Sequence, residues 1–208
     1  MLIGITGGIG TGKSYVVRLL NSKGYKVIES DLITRKLLER GQLNYPLVVA
    51  AFGEEILDEN KEIIRSTLKK LILASEEKRL LLNQLTHPNI MAAIKKEADE
   101  YLALEDNKGI VFVELPLLYE ENLESYFDEV WLIDCSKEEQ LKRVIERDKI
   151  SRLEAQQIMD RQLPRAEKLK RATVVIPNPI GEENSLVKRV EVILAKLKNK
   201  SERDVSDG

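Results

Sequence analysis

The chain opens with "LIGITGGIGTGKSYVVRLL" at residues 2–20, and the spacing Gly7-x-x-x-x-Gly12-Lys13-Ser14 within it constrains the fold more than any other feature. A short apolar run, Leu2–Ile5, leads into the glycines, and a helical pattern leads out of them. Glycine reaches positive φ and lets backbone N–H groups approach an anion with no Cβ in the way, and a helix that starts at the end of the loop adds its positive dipole end. Strand, loop and helix fall in the order that a phosphate-binding loop requires, which speaks against a mere tight turn carrying an exposed lysine. A dinucleotide loop fails on spacing, because Lys13 occupies the third glycine position counted from Gly8 and Gly10. The residues expected to hold a nucleoside triphosphate here are Gly8, Gly10, Thr11, Gly12, Lys13, Ser14 and Tyr15. Lys13 would reach the β and γ phosphates, and the Ser14 hydroxyl would ligate Mg²⁺.

Beyond the loop, apolar β-prone runs at Leu2–Ile5, Tyr25–Ile28, Ile110–Glu114, Val130–Cys135 and Thr173–Ile176 alternate with helical patterns. That alternation predicts an α/β protein of three layers, a P-loop NTPase fold with a five-stranded parallel sheet between helices. Ser136 with Glu139 and Ser151 with Glu154 read as capping boxes, and Pro46 after Asn44 suits a first helical turn. The stretch from about 38 to 105 is almost purely helical and too long for one crossover, so it is expected to be an inserted helical subdomain. The remaining core would comprise 1–37, 106–143 and 172–198 of a single domain, with a helical lid over 144–171 and a disordered tail over 199–208.

Which kind of phosphate-loop protein this is follows partly by elimination. The Asn-Lys pairs at 60, 107 and 199 all lack the aspartate of a guanine-reading Asn-Lys-x-Asp, and no Ser-Gly-Gly-Gln marks a transporter-type ATPase. A small-molecule kinase remains, and three features favour it. "VIESD" puts Asp31 just past the second strand, where a carboxylate could take the proton of an attacking hydroxyl, or where Ser30 or Asp31 could simply cap a helix. "VFVELPLLYE" ends a strand at Glu114, either near the Mg²⁺ shell or as an ordinary polar strand end. Residues 142–171 hold ten Lys and Arg against five Asp and Glu, with Arg143 and Arg147 on one helical face. That excess fits a lid over a triphosphate and equally a solvated helix. His87, the only histidine, precedes Pro88 at what the proline predicts to be a kink or junction between two helices. Both a buried structural histidine and a substrate contact are open.

Taken together these segments resemble the dephospho-CoA kinase family over about residues 1–198: "GITGGIGTGKS", "VIESDLITRKLLERG", "LNQLTHPNI", "ELPLLYE", "EEQLKRVIERDKIS", "QIMDRQLP" and "ATVVIPN". The resemblance implies that Asp31 is the catalytic base, that His87, Asp31 and Glu114 face the substrate, and that Asn178 lies beside the adenine. It further implies ATP as co-substrate, Mg²⁺ on Ser14 and Glu114, and Lys13, Arg143 and Arg147 neutralising the transferred phosphoryl group. The reaction implied is phosphorylation of the ribose 3′-hydroxyl of dephospho-CoA. A related nucleoside or nucleotide kinase and a non-catalytic ATP-binding regulatory module are the alternatives. The chain departs from the family pattern at Thr11 for serine, Glu29 and Glu114 for aspartates, Arg40 for proline and Thr173 for aspartate.

The net charge of −2 provides no general attraction for nucleic acid. No apolar stretch approaches 20 residues, no export signal is legible, and the single cysteine, Cys135, suits a reducing compartment. A cytoplasmic monomer acting on small molecules is expected, without nucleic-acid or membrane partners.

Overall fold

The computed structural model describes the backbone of residues 1–206, with side chains through Leu197 apart from Glu183. Strands β1 (Leu2–Thr6), β2 (Lys26–Glu29), β3 (Val111–Glu114), β4 (Glu129–Asp134) and β5 (Val174–Pro177) form one parallel sheet in the order β2-β3-β1-β4-β5. All five expected strands are present, each within a residue or so of its expected bounds. Registers such as Ile5 opposite Glu114 and Ile5 opposite Trp131 place β1 between two strands that come much later in the chain. The strand order therefore reverses about β1, and the crevice at its carboxyl end is where open α/β sheets bind ligands. The glycine loop occupies that position.

The chain divides into two compact units, Met1–Ile28 with Tyr101–Gly208, and Glu29–Glu100. The first holds the sheet. Its helices are α1 (Lys13–Ser22), α6 (Lys137–Asp148), α7 (Arg152–Met159), α8 (Arg165–Arg171) and α9 (Glu183–Ser206). Ile3, Ile5, Phe112, Trp131, Ile133 and Ile176 of the strands pack with Val16 and Leu20 of α1 and with Leu186, Val190, Leu194 and Leu197 of α9. Edge-to-face contacts run from Tyr25 to Phe112 at 5.5 Å and from Phe112 to Trp131 at 5.0 Å. Each such pair adds about 0.5–1.5 kcal/mol beyond its burial. Both expected capping boxes close, Ser136 with Glu139 on α6 and Ser151 with Glu154 on α7. Thr173, where the family pattern has aspartate, brackets the start of β4: its hydroxyl donates to the Val130 carbonyl at 3.0 Å and accepts from the Val130 N–H. A carboxylate offers no such donor. The tail expected over 199–208 overlaps the end of α9, where the side chains lie outside the described residues, as do residues 207 and 208 altogether.

The second unit carries α2 (Ser30–Leu37), α3 (Asn44–Phe52), α4 (Arg65–Ala74) and most of α5 (Glu76–Leu102). Val48, Phe52, Ile56 and Leu68 form its small core. The expected break at His87–Pro88 is corrected: α5 runs unbroken through Pro88. Proline removes one backbone donor, but buried Ile90, Met91, Ile94 and Ala98 still carry the helix past it. Fully buried Asn44 adds a polar clasp on either side of the proline, donating to the Thr86 carbonyl at 3.5 Å and accepting from Asn89 at 2.7 Å. Tertiary packing outweighs the local proline preference.

Candidate active site

The loop between β1 and α1 is shaped by residues that only glycine can replace. Gly10 (φ +77°) and Gly12 (φ +92°) lie in the left-handed region. A Cβ at Gly10 would stand 2.8 Å from the Gln140 carbonyl oxygen, and one at Gly12 would overlap the Asn178 amide. Buried Thr11 closes the turn, its hydroxyl donating to the Gly8 carbonyl at 2.9 Å and its N–H donating to the same oxygen at 3.3 Å. The turn of the loop is thus closed by its own backbone and by Thr11.

Two residues expected to touch nucleotide or phosphate brace the loop from outside. The Asn178 side chain, buried, donates to the Thr11 carbonyl at 2.7 Å, and its own N–H donates to the Asp134 carbonyl at 2.7 Å. The Arg143 guanidinium donates to the carbonyls of Gly10 (3.3 Å), Thr11 (3.3 Å) and Asn178 (2.9 Å), and also approaches Cys135 Sγ at 3.6 Å. One cation therefore holds the loop and the end of β5 together. Burial pushes the Cys135 thiol up to about 11 despite the neighbouring Arg143, so it is an inert packing group.

Lys13, at the first turn of α1, folds back on the loop, donating to the carbonyls of Gly7 at 2.8 Å and Gly8 at 3.2 Å. Desolvation pulls its ammonium down from 10.5 to about 8; Glu114 and Glu120 oppose the shift, while Lys168 and Arg147 reinforce it. Glu114 ends β3 opposite Ile5, so β3 delivers its carboxylate to the field of Lys13. Arg147 also lies within that field, but its guanidinium is exposed and pairs with Asp148 at 2.7 Å. Ser14 is exposed on the first turn of α1, and Tyr15 is half-buried against the sheet core. Among the described residues no three acidic, histidine or cysteine side chains form a metal cage of their own. The hydroxyl of Ser14 and the carboxylate of Glu114 are oxygen donors, the kind of group that Mg²⁺ takes.

Sequence reasoning missed a second set of contacts to the loop, made by the segment joining α7 and α8. Gln162 Oε1 accepts from the Ile9 N–H at 2.8 Å, and Arg165 forms a two-pronged pair with Asp134 at 2.8 and 2.6 Å. Glu120 accepts from the Leu163 N–H at 2.9 Å and approaches Lys168 at 2.6 Å. A cavity of about 270 Å³ opens there, bounded by Gly8, Asp134, Gln140, Gln162, Arg165 and Lys168. Gln140 offered a signal: it is a polar residue beside Leu141 and four before Val144 on the buried face of α6. Helix α8 has only seven residues, too few for a hydrophobic period to place Lys168 inside.

The other expected residues belong to the second unit. Asp31 is exposed in the first turn of α2. The helix begins one residue before it, with Glu29 in the capping position and no side-chain cap bond, so neither Ser30 nor Asp31 serves as the cap. His87 is partly buried on α5, and desolvation together with Arg79 lowers its pKa below 6.5, which leaves it neutral near pH 7. It is neither fully enclosed nor charged.

Comparison with known proteins gives these residues a family. The family model described as dephospho-CoA kinase matches residues 1–184. A dephospho-CoA kinase from Carboxydothermus hydrogenoformans is 39% identical over 199 residues, covering 95% of this chain and 94% of that protein. A crystal structure of a Thermus thermophilus protein superposes with a TM-score of 0.80 at 32% identity, covering 95% of this chain and 97% of the other. A dephospho-CoA kinase structure from Campylobacter jejuni gives a TM-score of 0.70 at 29% identity, covering 96% and 98%. The braced glycine loop, the desolvated lysine and the matched length agree: this chain belongs to the dephospho-CoA kinase family.

Proposed function

We propose that the chain transfers the γ-phosphoryl group of ATP to the ribose 3′-hydroxyl of dephospho-CoA, giving coenzyme A and ADP. The observation that carries this reading is the family match over residues 1–184, whose phosphate loop is intact from Gly7 to Ser14. ATP lies with its phosphates on the N–H groups of the loop, and Lys13 leaves its two carbonyl partners to bridge the β and γ phosphates. Arg143 and Asn178 hold the loop in shape while this happens, so the site costs little reorganisation. Mg²⁺, held by Ser14 and on the Glu114 side, supplies charge neutralisation to the phosphate oxygens when bound.

In the transfer step the bond from the ribose oxygen to the γ-phosphorus forms as the bond to the β,γ-bridging oxygen breaks. The hydroxyl proton passes to the Asp31 carboxylate, and ADP leaves with the bridging oxygen. Asp31 follows the carboxyl end of β2 by two residues, the end of an α/β sheet at which ligands are bound. Neutral His87 offers a hydrogen bond to the acceptor, and the helices over 144–171 exclude water from the phosphoryl group. A cytoplasmic location fits an enzyme whose substrates are small, water-soluble metabolites.

The test is Asp31→Asn. Asparagine preserves size and hydrogen bonding but is no base at neutral pH, so melting stays near wild type and ATP binding within a few-fold. Turnover with dephospho-CoA falls about 10²–10⁴-fold. Turnover within a few-fold of wild type would remove the base from the mechanism.

A further inference from the structure

Lys168 is the one buried lysine among the described residues, with 3% of its surface exposed. Lysine is almost never fully buried unless it is paired, and here Glu120 pairs its charge but leaves its hydrogen-bond donors unfilled. Its Nζ stands 2.6 Å from Glu120 Oε1, but off the line that a hydrogen bond needs. That oxygen already accepts from the Leu163 N–H. Among the described residues neither Lys168 Nζ nor Glu120 Oε2 has a hydrogen-bond partner, and both atoms are sealed from water. An ammonium carries three donors, and an ion pair left half-satisfied in the interior is a poor strut, because desolvation consumes most of its Coulomb gain.

The position of the pair gives the unfilled donors a use. Lys168 lines the 270 Å³ cavity that Gly8 of the phosphate loop also lines. The Lys13 ammonium senses the charges of both Lys168 and Glu120, so the two lysines share one electrostatic neighbourhood. The Gln162 contact to Ile9 and the Arg165 pair with Asp134 anchor the approach to α8, so Lys168 is held in place before any ligand arrives. With the β-phosphate on the N–H groups that lead into α1, the γ-phosphate lies toward Lys13 and the Gly7–Gly8 side.

We propose that Lys168 is a second phosphate lysine of this site, donating to the terminal phosphoryl oxygens of the bound nucleoside triphosphate while Glu120 keeps it desolvated and in place. The proposal rests on the phosphate-loop reading above. It explains why the fold tolerates an under-bonded ammonium: the missing acceptors are those of the ligand.

The experiment compares the affinities of Mg-ADP and of the non-hydrolysable Mg-β,γ-imido-ATP by titration calorimetry, without any acceptor. Lys168→Met strands the Glu120 carboxylate, so Lys168→Met with Glu120→Gln is measured beside it, each checked by thermal melting. A charge-assisted hydrogen bond to the γ group predicts that the folded variant loses about 10–100-fold in triphosphate affinity while ADP affinity stays within about threefold. Lys168→Arg, which keeps the charge and the donors, retains most of the triphosphate preference. Parallel loss of both nucleotides, or no loss of either, would overturn the proposal and leave the pair as a structural tie. Wild-type protein that binds neither nucleotide would instead bring down the phosphate-loop reading beneath it.

Discussion

Raising the pH should remove the charge on Lys13 well below the ordinary lysine range, and ATP binding should record the loss. In the free protein, burial of its ammonium against the Gly7 and Gly8 carbonyls brings its pKa to about 8 from 10.5. A triphosphate on the loop restores the charged form, so binding above pH 8 must take up a proton. If the bound ammonium returns to its ordinary range, affinity weakens about tenfold between pH 7 and pH 9, or about 1.4 kcal/mol. The same shift makes the empty protein more stable, not less, as pH rises from about 8 toward 10.5, because the unfolded chain holds the proton that the native state has released. Calorimetric titration of Mg-ATP in two buffers of different ionisation enthalpy measures the uptake directly. The expected values are about 0.1 proton per ATP at pH 7 and about 0.9 at pH 9. Lys13→Arg, charged throughout, should flatten the profile. An affinity that is unchanged between pH 7 and pH 9, with no proton uptake at the upper end, would refute the argument.

Other perturbations test the cradle. Arg143→Ala removes charged donors from three carbonyls and should cost about 2–4 kcal/mol in chemical denaturation, with ATP affinity falling at least about tenfold. Gly10→Ala forces a side chain into left-handed backbone 2.8 Å from the Gln140 carbonyl; far-UV circular dichroism should stay native while ATP binding drops by more than about tenfold. Glu114→Gln should raise the Mg²⁺ concentration needed for half-maximal turnover more than the Michaelis constant for dephospho-CoA. Because Glu114 supports the Lys13 charge, that variant should also move the proton-uptake midpoint below 8.

The strands and the loop were legible because their signals are local: a parallel sheet buried on both faces reads as apolar runs, and Gly10 and Gly12 require conformations that few other residues accept. The capping boxes of α6 and α7 were legible for the same reason. The spacing of Arg143 and Arg147 suggested a shared role at the transferred phosphoryl group, whereas one guanidinium turns under the loop and the other faces solvent. The pairing of Gln162 with Ile9 spans 153 residues, and that of Arg165 with Asp134 spans 31. No local pattern encodes such contacts. The unbroken α5 shows the converse case, a strong local signal at Pro88 overridden by packing farther along the helix.

The most direct measurement of the central claim is ATP-dependent ADP release against a panel of acceptors, with the product located by ³¹P NMR. The account predicts that dephospho-CoA alone stimulates release strongly, with one new phosphomonoester signal on the ribose 3′ position for each ADP formed. Stimulation by nucleosides or nucleoside monophosphates in place of dephospho-CoA, or ATP binding with no acceptor-dependent release at all, would contradict it.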